Sequence, residues 1–387
     1  MVNLQNIPFL PFLRGFVRAR RSRQWPELKE LLKQGIATST AGKRSKSSLL
    51  GWLRLGSARR SAQPPPLFQM AASYWISQSI YVAAKLDIAD AIHGSPKSCQ
   101  QIAEITGANE HALFRLLRAL CNLGICKEQN GKYELTSQGG PLRSGAPGSL
   151  RSMVLTLGEI HYQAWGNLLH SIKTGQPAFN DLFGTGLFEH LTKNAQDGHT
   201  FNTAMTDFSG LASYAVALAY DFSTIRSIVD VGGGHGKFLL RLLDINPHLQ
   251  GTVLDLPAVI QGTEQHLETL NGRCKSIAGD FFTAVPEGAD AYILCGVIHD
   301  WDDASSIAIL KNCRKAMGPR SRVLLVENMV PETREPSFST LLDLNMLVMC
   351  GGRERTESEF RSLFQAAGLK MTRVISTSSP LKIIEAC

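Results

Sequence analysis

His299 ends an apolar run in "CGVIHDWDD" (295–303), with Asp300, Asp302 and Asp303 just after it. The run begins near Ala291 and reads as a strand. The acids suit the first turn of a following helix, whose dipole favours negative charge there. The imidazole has a second use: it titrates near neutrality and can take a proton from a reacting group.

A different chemistry is written in "VDVGGGHG" (229–236), a strand running into a glycine turn and then a helix. Glycine permits positive φ and close approach of a ligand to the backbone. Gly232, Gly234 and Gly236 are spaced G-x-G-x-G. The dinucleotide fingerprint G-x-G-x-x-G would need a glycine where Lys237 stands, so a nucleoside ligand without a pyrophosphate is favoured. Asp255 ends the next strand and can accept hydrogen bonds from both ribose hydroxyls. Asp280, in "GDFF", can accept from an exocyclic amine, and Phe281 can flank a purine. Each acid also has a plainer reading as a helix cap or turn residue. Three strand ends in the right order weigh against that plainer reading.

These residues need a scaffold, and from Ser227 onward the chain alternates strands with helices. Strands are expected at "SIVDVGG", "GTVLDLP", "CKSIAGDFF", "DAYILCGVI" and "SRVLLVENMV", with two short ones at Lys370–Ser376 and Leu381–Glu385. Helices follow the glycine turn, run from 257 to about Leu270, and cover about Ala304–Met317 and Glu357–Ala367. The pattern implies an α/β fold: a Rossmann-like, seven-stranded, mostly parallel sheet with helices on both faces, over 226–387. Residues 151–225 read as a helical connector broken at Gly175–Pro177 and Gly184–Gly186. Its aromatic and Met residues, among them Tyr162, Trp165, Phe179 and Phe188, suit either a core or an apolar ligand pocket.

Residues 64–150 begin with helical spacing to Ile92. They continue as a short helix, a turn at Gly107, a helix from Glu110 to Leu123 and a hairpin at Asn130-Gly131. That is the plan of a winged helix. A DNA-reading helix exposes polar side chains to base edges. This one carries Leu113, Phe114, Leu116, Leu117, Ala119 and Leu120, which suits burial or dimerisation instead.

The formal charge of +7 sits unevenly. Residues 1–63 carry thirteen Lys/Arg and two Glu, a net of +11, which leaves −4 on the rest. Nucleic-acid binding would therefore rest on this arm alone. The arm reads as a flexible basic extension with a short helix around Gln24–Lys33, closed by the linker "SAQPPPLF" (61–68). A transit peptide or a peripheral membrane contact is the alternative. No run reaches the ~18–20 apolar residues of a membrane span. Eight scattered cysteines form no C-x-x-C pair, so no metal site is expected and a reduced, cytoplasmic setting is.

In order, VDVGGGHG, VLDLP, GDFF, IHDWDD, VEN and GGRERT resemble the S-adenosylmethionine-dependent O-methyltransferases typified by plant caffeic acid and chalcone methyltransferases, a family with bacterial polyketide and animal hydroxyindole members. The resemblance covers about 66–387, and in the family the winged helix is a dimerisation domain. It implies S-adenosyl-L-methionine as cofactor, a homodimer, and a small secondary-metabolite-like substrate. Gly232 and Gly234 would face the methionyl part, Asp255 the ribose, and Asp280 with Phe281 the adenine. His299 matches the general base, Glu327 and Glu354 its flanking acids, and Asp343 with Met346 the substrate-lining helix. One departure is Cys295, where plant members have a lysine near the cofactor.

The function so implied is methylation of a phenolic or enolic hydroxyl. Two rivals stand beside it. Some relatives use the bound cofactor for hydroxylation, decarboxylation or pericyclic rearrangement, although the His–Glu–Glu set serves proton removal. A winged-helix regulator is disfavoured by the net −4 and the apolar second helix.

Overall fold

The computed structural model describes residues 65–261, 272–333 and 335–387. The expected helix around Gln24–Lys33 lies outside them, as do residues 61–64 of the linker and the 262–270 portion of the helix expected through Leu270. What remains of the linker is helical: Pro66–Ala71 forms a turn of helix with proline in its first positions, where its missing N–H costs nothing. The chain divides into one unit ending at Ile160 and another beginning at His161.

In the first unit, α1 (Tyr74–Lys85) precedes a two-residue strand β1 (Lys97–Ser98) and α2 (Cys99–Thr106). Ser98 and Gln101 form a reciprocal capping box at the start of α2, and Gly107 ends it in the left-handed region. Helix α3 (Glu110–Asn122) is capped by Asn109 and buries Leu113, Leu117 and Leu120, one stripe at helical spacing. Phe114 lies off that stripe: it is 46% exposed in the single chain, beneath the Arg118 guanidinium. Strands β2 (Cys126–Gln129) and β3 (Lys132–Leu135) pair through an Asn130-Gly131 turn in which both residues have positive φ. β1 adds to β3 and completes the three-stranded wing.

The second unit opens with short helices and α4 (Ala195–Ala219). The sheet follows: β4 (Ser227–Val231), α5 (Lys237–Ile245), β5 (Gln250–Asp255), β6 (Cys274–Ala278), β7 (Ala291–Cys295), α6 (Asp303–Ala316), β8 (Arg322–Glu327), α7 (Ser339–Met349), α8 (Glu357–Ala366), β9 (Met371–Ser376) and β10 (Lys382–Ala386). The spatial order is β6-β5-β4-β7-β8-β10-β9; β10 runs antiparallel to both neighbours and the other pairs are parallel. This is the seven-stranded, mostly parallel sheet expected.

The central strands β7 and β8 are apolar at most positions because both their faces are covered, while the edge strands β6 and β9 carry exposed polar residues. Tyr292 and Leu294 of β7 pack toward Ile309 and Leu310 of α6 and Phe360 and Phe364 of α8. Ala291 and Ile293 face the opposite core, with Val216 of α4 and Phe238, Leu239 and Leu242 of α5. Each such Leu or Phe contributes about 1.5–3 kcal/mol by leaving water. The order reverses between β4 and β7, and a crevice at the carboxyl ends is the usual ligand place in such sheets. Register sets the ends of β4, β5 and β6 level: Val231 pairs with Leu254, and Asp255 with Ala278.

Candidate active site

The glycine turn after β4 is tight. Gly232, Gly234 and Gly236 have φ of 72°, 57° and 74°. A Cβ on Gly232 would lie 2.9 Å from Val297 Cγ2 and 3.4 Å from Phe281 Cε1, and one on Gly233 would lie 2.7 Å from the Asp230 carboxyl. The N–H of Gly234 donates to Asp255 Oδ2 at 2.7 Å, and that of Leu256 donates to Oδ1 at 2.7 Å. Asp255 is therefore oriented by backbone, and burial raises its pKa despite those bonds. Asp280 is exposed and accepts the Phe282 N–H at 2.8 Å. The ring of Phe281 sits beside Gly232 and edge-on to Trp301.

Asp230 was not singled out by its sequence position. It is buried, and neither carboxyl oxygen has a partner. Burial, with Asp255 nearby, pushes its pKa up to about 8. Cys295, at the end of β7, keeps a protonated thiol because burial pushes it well above its ordinary range. It brings no cation to this edge.

His299 lies one 3₁₀ turn (Ile298–Asp300) beyond β7. Its Nδ1 is 2.8 Å from Glu354 Oε1 and 3.8 Å from Glu327 Oε2. Of the two acids, Glu354 makes the hydrogen bond. Glu327 Oε1 instead accepts the N–H groups of Val297 and Ile298 (3.1 and 2.9 Å), which pins the turn carrying the imidazole. Asp302 caps α6 by accepting the Ser305 N–H. Asp300 does not cap; its Oδ1 lies 3.6 Å from His299 Nε2, with Cys350 Sγ 3.8 Å away. Asp300 thus faces its neighbour His299 and takes no part in the first turn of α6.

Burial opposes a charge on His299, but Glu327, Asp300 and Glu354 outweigh it and raise its pKa to about 10. Burial lifts Glu327 to about 7 and Asp300 to about 6. His299, Glu327 and Glu354 also form the one grouping among the described residues whose ligand atoms lie within 4.8 Å of one another. A cation there would have to displace the proton between Nδ1 and Glu354.

The loop after α7 holds this arrangement. The N–H of Arg353 donates to the His299 carbonyl at 2.8 Å. A Cβ on Gly352 would lie 2.0 Å from that same oxygen, so only glycine fits. Arg355 is fully buried: it donates to Asp303 and to the carbonyls of Ile298 and Trp301. Asp343 Oδ1, on α7, accepts the Glu354 N–H at 2.9 Å, and Met346 is buried on the same helix. Arg355 escaped the sequence reading because burial of a charge leaves no pattern. The doubled glycine before it was the available signal for a close approach.

Comparison with known proteins gives the same picture. A model of the O-methyltransferase domain matches residues 165–370, and one of the O-methyltransferase dimerisation domain matches 68–141. A phenazine O-methyltransferase of Lysobacter antibioticus is 42% identical over 323 residues, covering 83% of this chain and 95% of the relative. An O-methyltransferase from neocarzinostatin biosynthesis, solved with S-adenosylmethionine and 2-hydroxy-5-methyl naphthoic acid, is 33% identical. It has a TM-score of 0.73 and covers 84% of this chain and 99% of its own. Human N-acetylserotonin methyltransferase with S-adenosylmethionine is 27% identical, with a TM-score of 0.79 over 85% and 99% of the two chains. Matched in both domains and along most of its length by such relatives, the chain belongs to the S-adenosylmethionine-dependent O-methyltransferases.

Proposed function

We propose that this enzyme methylates a phenolic or enolic hydroxyl of an aromatic secondary metabolite, with His299 as general base. The observation that carries this is the 2.8 Å bond between His299 Nδ1 and buried Glu354. In the neutral ring it fixes the proton on Nδ1 and leaves the Nε2 lone pair as acceptor. Gly296, with φ of 63°, borders Nε2: a Cβ there would touch it at 3.6 Å, and Asp300 Oδ1 also lies 3.6 Å from it.

Energetics support the assignment. A phenol has a pKa near ~10 and free imidazole near ~6.5, so proton transfer between them is uphill by about 5 kcal/mol. The acids around His299 raise its pKa toward that of a phenol, which lowers this cost; at neutral pH the ring then rests mostly as imidazolium, so the base acts from its neutral fraction and turnover should rise with pH. The imidazolium then formed is held by Glu354 and Glu327.

The residues present fit the cofactor. The glycine turn has no room for side chains at 232 and 233, and beneath it Asp230 is a buried carboxyl group with neither oxygen paired. In this reading Gly232 and Gly234 face the methionyl end, Asp255 holds the ribose, and Asp280 with Phe281 holds the adenine. When bound, the cofactor supplies a methyl already activated on sulfonium sulfur. The protein's part is alignment and proton removal.

The relatives named above act on or bind a phenazine, a hydroxynaphthoic acid and N-acetylserotonin, which supports an aromatic acceptor. Asp343 and Met346 are assigned to the substrate side of α7. We assign the dimer to 68–141, where Phe68 and Met70 are 52% and 71% exposed. Among the described residues no helix is long and apolar enough to cross a membrane. The eight free thiols suit a cytoplasmic setting.

The test is incubation with S-adenosylmethionine and a panel of phenols, with products followed by mass. A gain of one methyl, matched mole for mole by S-adenosylhomocysteine, is expected. Product without S-adenosylhomocysteine would point to the non-methylating chemistry instead.

A further inference from the structure

Residues 232–236, the turn after β4, are four glycines and His235, so the imidazole is the turn's one side-chain handle. Backbone bonds hold the near end of the turn: the N–H groups of Gly232 and Gly233 donate to the Leu254 carbonyl at 2.8 and 3.3 Å. The far end is held from α4. His235 Nδ1 lies 3.1 Å from Thr206 Oγ1. That hydroxyl has one proton, and its 2.6 Å contact is to the Asn202 carbonyl, which can only accept. Thr206 therefore donates to Asn202 and accepts from His235, which places a ring proton on Nδ1.

Asp207, the next residue of α4, pairs at 3.0 Å with Lys237, the first residue of α5. An ion pair as exposed as this contributes little alone. The two helices share a core, Ala212 and Val216 of α4 with Phe238, Leu239 and Leu242 of α5. The Arg241 guanidinium of α5 also lies 4.7 Å from the centre of the Tyr214 ring of α4. α4 is thus fixed against α5, and two consecutive residues of it hold both sides of Gly236. Beside His235 in the turn, Gly234 donates its N–H to Asp255.

We propose that His235 is a positioning residue for the cofactor: its Nδ1–H bond to Thr206 holds the glycine turn against Asp255 in the form that S-adenosylmethionine binds. This rests on the glycine turn being the cofactor's seat, as read above. The imidazole acts through the backbone of Gly234 and Gly236 and not as a ligand. Without the bond, a turn of glycines has more conformations to lose, and ordering it on binding lowers affinity. The chemical step, set at His299 beyond β7, is untouched.

The test uses the full chain and calorimetric titration with S-adenosylhomocysteine, alongside kinetics with any methylated phenol of the panel above. His235→Ala is expected to weaken binding about fivefold or more, the size of one hydrogen bond. KM for S-adenosylmethionine should rise with it, while kcat at saturating cofactor and KM for the phenol stay within about twofold. An asparagine amide offers an N–H close to the place of Nδ1–H, so His235→Asn should bring affinity back to within about twofold of wild type. Thr206→Val should match His235→Ala, and the double variant should bind no more weakly than either alone. Wild-type affinity in His235→Ala overturns the proposal, and a lowered Tm with that affinity marks an ordinary structural contact. A loss in His235→Ala with wild-type affinity in Thr206→Val overturns it too, because the imidazole would then touch the cofactor itself. Additive losses, or His235→Asn no better than His235→Ala, do the same. If His235→Ala does not fold, Thr206→Val and His235→Asn decide. If the wild type binds no S-adenosylhomocysteine, the glycine-turn reading fails and takes this one with it. If it binds but methylates no phenol, the methyl-transfer reading fails and the binding comparison still decides this one.

Discussion

Glu354 and His299, fifty-five residues apart in sequence, share a 2.8 Å hydrogen bond at Nδ1, with the Glu354 side chain wholly buried. The bond exists because the Arg353 N–H holds the His299 carbonyl, and Asp343 holds the Glu354 N–H. Imidazole and carboxylate are thus placed by backbone on both sides.

Removing the imidazole should remove the base and leave the glycine turn intact. His299→Ala is expected to lower kcat by ~10²-fold or more. Binding of S-adenosylhomocysteine, measured by calorimetry, should change by less than about threefold. Turnover near the wild-type rate would end the assignment.

Glu354→Gln keeps an acceptor for Nδ1 but removes a charge that raises the His299 pKa. The neutral base then persists to lower pH, and proton transfer from a phenol becomes less favourable. The kcat should fall, and the pH at which kcat/KM is half-maximal should shift downward. An unshifted profile would mean that Glu354 only orients the ring.

Gly232→Ala puts a methyl 2.9 Å from Val297 Cγ2 at a φ of 72°. The left-handed backbone costs about 1–2 kcal/mol for a residue with a side chain. The new methyl also fills the floor of the glycine turn, beside Phe281. Cofactor affinity should drop by about tenfold or more with near-normal circular dichroism. Wild-type affinity would show that this face of the turn is not used.

Arg355→Met removes a buried cation and its hydrogen bonds to the Ile298 and Trp301 carbonyls, while its partner Asp303 is half exposed and returns to water. Weakening the pairing of buried carbonyls typically costs about 1–3 kcal/mol. Because those carbonyls belong to the segment carrying His299, kcat should fall alongside Tm. A loss of Tm with full kcat would separate the loop's stability from its positioning of the base.

Much of this was legible in advance, for a physical reason. Parallel strands buried on both faces read as unbroken apolar runs, and glycines at positive φ mark where they turn; Val229, Val231 and Gly232 show both. What escaped was set by tertiary pairing or single residues. β1 is two polar residues, and only its register with Tyr133 and Lys132 makes it a strand. Arg355 and His161 are buried polar residues without a repeating signature. Among three neighbouring acids, Asp302 is the cap and Asp300 turns back to His299, and nothing local to the sequence separates the two roles.

The cluster also makes a prediction about stability and pH. His299, Glu327 and Asp300 have folded-state pKa values of about 10, 7 and 6, each above its ordinary value of 6.5, 4.5 or 3.8. The folded state therefore binds more protons than the unfolded chain, so stability falls as pH rises. For His299 the contribution is fully present below 6.5 and is lost as pH climbs through about 10. For the two acids it fades between about pH 4 and 7. Scanning calorimetry from pH 5 to 9.5 should show Tm declining. The decline should be shallower in His299→Asn/Glu327→Gln, where two of these groups no longer titrate. Parallel curves for the two proteins would show that the cluster takes up no protons on folding, and the match between His299 and a phenol would lose its basis.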